Sequence, residues 1–222
     1  MSNIFSYIKK NYTKSNSFTR LLYVNLVFFL IYKILCVFGV LLSTSPELGK
    51  IFVEDLNSWI NNFLALPSNI NSLIKKPWTL ITYMFVHTGF LHILFNLIWL
   101  HFGSKLFLQY FTGRQLVSTY IFGGIFGGLI YILAFNIFPV FQSAPYLCSH
   151  AYGASASVVA IVIAIATYAP NYSMRFPFLG IVKLKHIAIF CIVLDVLSIR
   201  QGNAGGHIAH LGGALFGYLY IK

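Results

Sequence analysis

Charge is scarce in this chain, and acidic charge is the scarcest. Of 222 residues only 9% are charged, and the acids are four: Glu47, Glu54, Asp55 and Asp195. A soluble domain of this size carries about a quarter charged residues, so a water-soluble globular protein is excluded. Cysteine is equally thin, with Cys36, Cys148 and Cys191 far apart and no CxxC pair. An odd, scattered set builds neither a disulfide framework nor a cysteine metal site, and the three are read as packing residues. No HExxH motif, repeat array, low-complexity segment or second domain is present.

What the chain has instead is apolar surface. Hydrophobic residues make up 58% of it, with a mean hydropathy of +0.78. They lie in blocks rather than alternating, and about 20 apolar residues span a bilayer. Six blocks stand out: Leu21–Leu42, Gly89–Phe107, Gln115–Phe138, Gly153–Ala169, Ile181–Ser198 and Ala204–Ile221. The expected fold is an all-α polytopic membrane bundle of six transmembrane helices, residues 21–222, after a short polar segment, residues 1–20. The first block is too long for a signal-peptide core of roughly 7–15 residues, and is read as a retained helix.

Basic residues set the orientation. With the N-terminus cytoplasmic, Lys9, Lys10, Lys14, Arg20, Lys105, Arg114, Arg175, Lys183, Lys185 and Lys222 fall on the inner side. Lys50, Lys75, Lys76 and Arg200 fall outside, with three of the four acids, and Lys33 lies within the first span. That bias predicts both termini in the cytoplasm. The net charge of +11 then reports topology and membrane-lipid contact, with no nucleic-acid partner implied.

The connection over residues 43–88 is too long for a plain linker. Within it Phe52, Leu56, Trp59, Ile60 and Phe63 recur at helical spacing among polar residues, which predicts an amphipathic helix lying in the outer interface. The third span carries Gly123-Gly124-Ile125-Phe126-Gly127-Gly128, and the sixth carries Gly213 and Gly217. Small residues four apart let helix backbones approach closely in lipid, so the sixth span is expected to pack tightly within the bundle, close to the fourth.

Three segments put reactive polar residues near the start of an apolar helix: His92-Ile93-Leu94-Phe95-Asn96, Gly153-Ala154-Ser155 and Ala209-His210-Leu211-Gly212-Gly213. Polar groups at membrane depth are costly, and spans two, four and six all run inward, so these groups share one level toward the outer leaflet. A serine at a helix N-terminus has unpaired amides and the positive dipole end beside it. His92 and Asn96, four apart, share a helix face. His210 can act as base toward Ser155 and then as acid toward a leaving amine. Nucleophile, base and oxyanion donors are the parts of a serine hydrolase.

On these motifs the chain resembles the rhomboid intramembrane serine proteases, over about Trp78 to Tyr220, including His87 five residues before His92. The resemblance implies Ser155 as nucleophile and His210 as base, a dyad without an acid. It implies an oxyanion hole from His92, Asn96 and the Ser155 amide, and substrates that are transmembrane segments of other proteins, entering past the first loop and span five. The chain departs from the common pattern at Thr79 (often Arg), Ala156 (often Gly) and Val159 (commonly aromatic).

The remaining polar residues have plainer readings. His207 and His210 are three apart, but with no HExxH motif and no acidic ligand expected to accompany the cluster, no metal is assigned, and no cofactor is implied. His207 is read as a hydrogen-bonding neighbour of His210, His87 as a loop-stabilising residue, and His101 and His186 as interfacial. Asp195, the one acid within a span, is expected to pair with Arg200 or with backbone donors; a lone carboxylate excludes a two-aspartate protease. The alternatives are a catalytically inactive relative that binds transmembrane helices, and a small transporter or channel, which would need more paired intramembrane charge.

Overall fold

The computed structural model describes residues 16–143, 149–176, 180–200 and 202–222. Lys9, Lys10, Lys14 and Cys148 lie outside them. Nine α-helices are present among the described residues: α1 Ser17–Leu42, α2 Pro46–Phe63, α3 Ile70–Lys75, α4 Thr79–Thr82, α5 Phe90–Phe107, α6 Gly113–Ile137, α7 Ser155–Tyr168, α8 Leu184–Ser198 and α9 Ala204–Ile221. Two short antiparallel pairs accompany them, β1 Leu66–Pro67 with β2 His150–Ala151, and β3 Ser173–Phe176 with β4 Gly180–Lys183.

The helix ends follow local chemistry. The Asn16 side chain caps α1 by accepting from the Thr19 amide, and Ser45 caps α2 ahead of Pro46, whose missing N–H costs nothing in a first turn. Thr112 and Gln115 form a reciprocal capping box on α6. Asn203 accepts from the Gly206 amide at the start of α9.

The six apolar blocks become α1, α5, α6, α7, α8 and α9. By length and composition α1, α5 and α6 could cross a membrane. α7 has 14 residues and α8 has 15, roughly 21–22 Å at 1.5 Å per residue. α8 starts three residues later than expected, because Ile181–Lys183 pairs with Ser173–Arg175 as β4.

α7 is the centre of the bundle. Ala156, Ser157 and Val158 and every residue from Ala160 to Ala166 are buried. Glycines make room for it on both sides. A methyl group added at Gly213 or Gly217 of α9 would run into the carbonyls of Ala156 and Ala160, and one at Gly123 or Gly124 of α6 would meet Ala160 or Ser157. α6 meets α9 just as closely, at Gly127 against Gly212. Helix backbones that touch gain dispersion contact that larger side chains would block.

The loop helix forms where its spacing predicts, but it does not stand alone. α2 turns back along α1, with Phe52 over Gly39 and Tyr32 Oη donating to Asn57 Oδ1 at 2.8 Å. Its end is fastened by Trp78 Nε1 donating to the Phe63 carbonyl and Thr82 Oγ1 to that of Leu64, both at 2.8 Å. Thr79 is fully buried and bonds within its own turn to the Lys76 carbonyl.

Buried polar groups stitch the loops to the helices. Asn25 donates to the Tyr120 hydroxyl at 3.0 Å, and Tyr120 also reaches the Met84 carbonyl. Tyr83 Oη donates to the Gly124 carbonyl at 2.6 Å. Tyr131 donates to the Ser149 carbonyl, Asn136 to that of Ser68, and the Ser68 amide to Ser149. Together with the β1–β2 pair these bonds hold the strand leading to Ser155 against the first loop.

Candidate active site

The site is built outward from a turn. Gly153 has φ of +119°, a conformation that L side chains rarely adopt, and a Cβ there would lie 2.6 Å from His92 Nε2. Its amide donates to the Tyr83 carbonyl at 2.8 Å, and the next amide, of Ala154, donates to His87 Nε2 at 3.2 Å. His87 must therefore present a bare Nε2, leaving its proton on Nδ1, which faces the Phe85 carbonyl at 3.4 Å. Burial, and then the neighbouring charge of His92, pushes the pKa of His87 down to about 4. Desolvation thus enforces the neutral ring that the hydrogen bond requires.

This turn delivers Ser155 as the first residue of α7, where no side chain caps the helix. The leading amides of such a helix have no intrahelical partner, so donors and a positive dipole end lie beside the hydroxyl. Ser155 lines a cavity of about 780 Å³ shared with His92, Asn96, Val159, Asp195 and His210. Every residue expected to form the site faces that one space, although the four come from three helices. Asn96 is buried, and one of its amide protons goes to the His92 carbonyl one turn back at 2.9 Å, which leaves its second proton for the cavity. The His92 ring stands between His87, 5.0 Å away in an edge-on contact, and Tyr152 at 6.1 Å.

Residues 75–222 match the Rhomboid domain. The chain belongs to the rhomboid family. It is 30% identical to RHOMBOID-like protein 12, mitochondrial, of Arabidopsis thaliana, over 70% of the chain and 48% of that protein. It is 28% identical to presenilin-associated rhomboid-like protein A, mitochondrial, of Danio rerio, over 62% of the chain and 35% of that protein. The chain therefore spans half or less of the length of these curated relatives. Family membership and the long apolar helices make it an integral membrane protein.

Within this rhomboid-family chain the departures have structural settings. The Ala156 methyl sits against Gly127 of α6, and Ala156's backbone against Gly213 of α9. Val159 lies on the cavity wall. Thr79 is packed into the loop that Trp78 anchors.

One expectation is corrected. Asp195 does not pair with Arg200; its Oδ1 accepts from His207 Nδ1 and from His210 Nδ1, each at 2.8 Å. Arg200 lies past the end of α8 at Ser198, while Asp195, within the helix, faces α9. His207 likewise bonds to this carboxylate, its ring centre 5.8 Å from that of His210. An acid therefore does accompany the histidine pair, contrary to expectation: one nitrogen of each ring and a carboxylate oxygen lie within 4.8 Å of one another, a spacing that two N–H···O bonds satisfy. A lone acid in an apolar helix was a signal in the sequence, but its partner lies 15 positions away on another helix. The expected role of His87 was right in kind; that its acceptor is spent on the Ala154 amide appears only in three dimensions.

Proposed function

We propose that this protein is an intramembrane serine endopeptidase, hydrolysing a peptide bond in or beside the transmembrane helix of another membrane protein. The observation that carries this reading is the shared cavity, where a helix-opening serine, two histidines and an asparagine from α5, α7 and α9 meet. In the proposed reaction Ser155 Oγ attacks the scissile carbonyl carbon while its proton passes to His210. The tetrahedral oxyanion is held by the Ser155 amide, His92 and Asn96. His210 then protonates the departing amine, and water, activated by the same histidine, hydrolyses the acyl-enzyme. One oxyanion donor in a preorganised site contributes roughly 3–4 kcal/mol to lowering the barrier.

The same proposal sets the protein in its membrane. α1, α5, α6, α7, α8 and α9 are the six spans, both termini face the side rich in basic residues, and the cavity opens toward the opposite side. α2 and the loop after it lie at that outer surface, and transmembrane-helix proteins are the substrates. No metal or organic cofactor enters the reaction.

The test is labelling of detergent-purified protein with a fluorophosphonate probe, beside Ser155→Ala and His210→Ala. Wild-type labelling that disappears in both variants is the expected result. Equal labelling of all three, or none under conditions where an active rhomboid protease labels, would sink the enzyme reading and favour a catalytically inactive binder of transmembrane helices.

A further inference from the structure

We infer that Asp195 is a positioning residue for His210, making the site an Asp-His-Ser relay rather than a two-residue one. This rests on the proposed protease reading and extends it to a residue on α8 that the dyad does not use.

Asp195 is one of only three buried residues of α8, and the other two, Leu184 and Ile187, lie at the opposite end of the helix. Its carboxylate reaches across to α9 and accepts from His210 Nδ1 at 2.8 Å. A neutral imidazole carries one proton. Fixing it on Nδ1 leaves Nε2 as a lone-pair acceptor on the far side of the ring, and His210 borders the same cavity as Ser155. When Ser155 Oγ attacks, its proton moves to that nitrogen and the ring becomes cationic. The adjacent carboxylate balances the charge without itself taking the proton. The proton then leaves with the amine, and His210 returns to the Nδ1–H form.

His207 divides the carboxylate's attention. It stands one turn before His210 and donates to the same Oδ1 at 2.8 Å, so that oxygen receives two N–H bonds. A carboxylate at membrane depth needs such partners. The charged and titratable groups around this pair are few. Cys191 lies one turn back on α8, His207 and His210 come from α9, His92 faces His210 from α5, and His150 and Tyr152 border the same cavity.

The experiment measures the second-order rate of fluorophosphonate labelling from pH 5 to 9 in wild type, Asp195→Asn, Asp195→Glu, Ser155→Ala and His210→Ala, with the melting temperature of each. Asp195→Asn keeps the shape of the side chain but can donate to Nδ1, turning the ring to the wrong tautomer. Its labelling should fall ~100-fold or more, by analogy with the serine-protease triad, with an altered pH profile, and Asp195→Glu should recover part of the loss. Wild-type labelling that needs Ser155 and His210, yet is matched in rate and pH profile by a folded Asp195→Asn, overturns this inference and leaves the protease intact. Absence of labelling in wild type overturns the protease reading itself. Inactivation by EDTA with recovery on adding zinc would assign the carboxylate to a metal and likewise overturn the inference. Should the variants fail to fold, nitrogen-15 histidine spectra of wild type decide it: a proton on Nδ1 of His210 is expected, and one on Nε2 alone refutes it.

Discussion

α8 and α9 are consecutive, similar in length and equally apolar, yet they are held in opposite ways. α9 buries eight of its residues, including Gly212, Gly213 and Gly217, and lies backbone to backbone against α7 and α6. α8 leaves Ile189, Phe190, Val193, Leu194, Val196 and Leu197 outside the bundle, and its side-chain hydrogen bonds to α9 among the described residues run through one carboxylate. The placement of His210 relative to Ser155 is therefore a matter of main-chain packing that leaves no slack. The placement of Asp195 depends on two hydrogen bonds at the edge of the molecule. Under the proposed function, a helix locked by glycines suits a base whose position must not drift.

The contrast can be broken most sharply at Gly213. Gly213→Leu forces the side chain into the Ala156 carbonyl, and overpacking against backbone falls at the upper end of about 1–3 kcal/mol. The expected result is a protein that loses fluorophosphonate labelling and melts well below wild type. An unchanged melting temperature would show that α7 and α9 do not touch as described.

Acid tests the turn that leads into α7. His87 has a folded pKa near 4 against an unfolded value of about 6.5. The unfolded chain binds the proton first as pH falls, so the neutral ring's contribution is complete above pH 6.5 and disappears as pH approaches 4. A full shift of this size corresponds to about 3 kcal/mol. Melting temperatures across that window should drop in wild type, and less steeply in His87→Gln, which keeps an acceptor for the Ala154 amide and cannot titrate. Parallel curves would remove His87 from the account.

Gly153→Ala should act more locally. A side chain at φ of +119° costs on the order of 1–3 kcal/mol, and its Cβ would push the His92 ring aside. Labelling should fall by at least tenfold while the protein still folds; wild-type rates would mean that the turn can relax. The smallest effect belongs to the loose helix. Leu197→Ala, at a position 64% exposed, should shift stability by no more than about 0.5 kcal/mol. A loss several times larger would mean that α8 is covered by a partner.

Much of this was legible in the residues. Several block ends carry their own signal: Asn16, Thr112 and Asn203 cap α1, α6 and α9, and Pro139 and Pro170 follow α6 and α7, whereas α5 and α8 begin without a side-chain cap. Ser155, His92, Asn96 and His210 could be picked out because polar groups in apolar helices stand out against their surroundings. Asp195 stood out for the same reason, yet its partner was misread. Arg200 is near in sequence and opposite in charge, but it lies past the end of α8. The return of α2 along α1 was likewise hidden, since spacing reveals an amphipathic face without saying what covers it.

The sequence by itself determined that this is a helical membrane protein, which helices carry its reactive side chains and where glycine lets two of them touch. Those properties follow from composition, period and side-chain volume, all local quantities. The tertiary structure alone decided which donor meets which acceptor: His87 with the Ala154 amide, Asn25 with Tyr120, and Asp195 with two histidines rather than an arginine. A hydrogen bond requires atoms about 3 Å apart, and only the folded chain brings residues 12 to 95 positions apart to that distance.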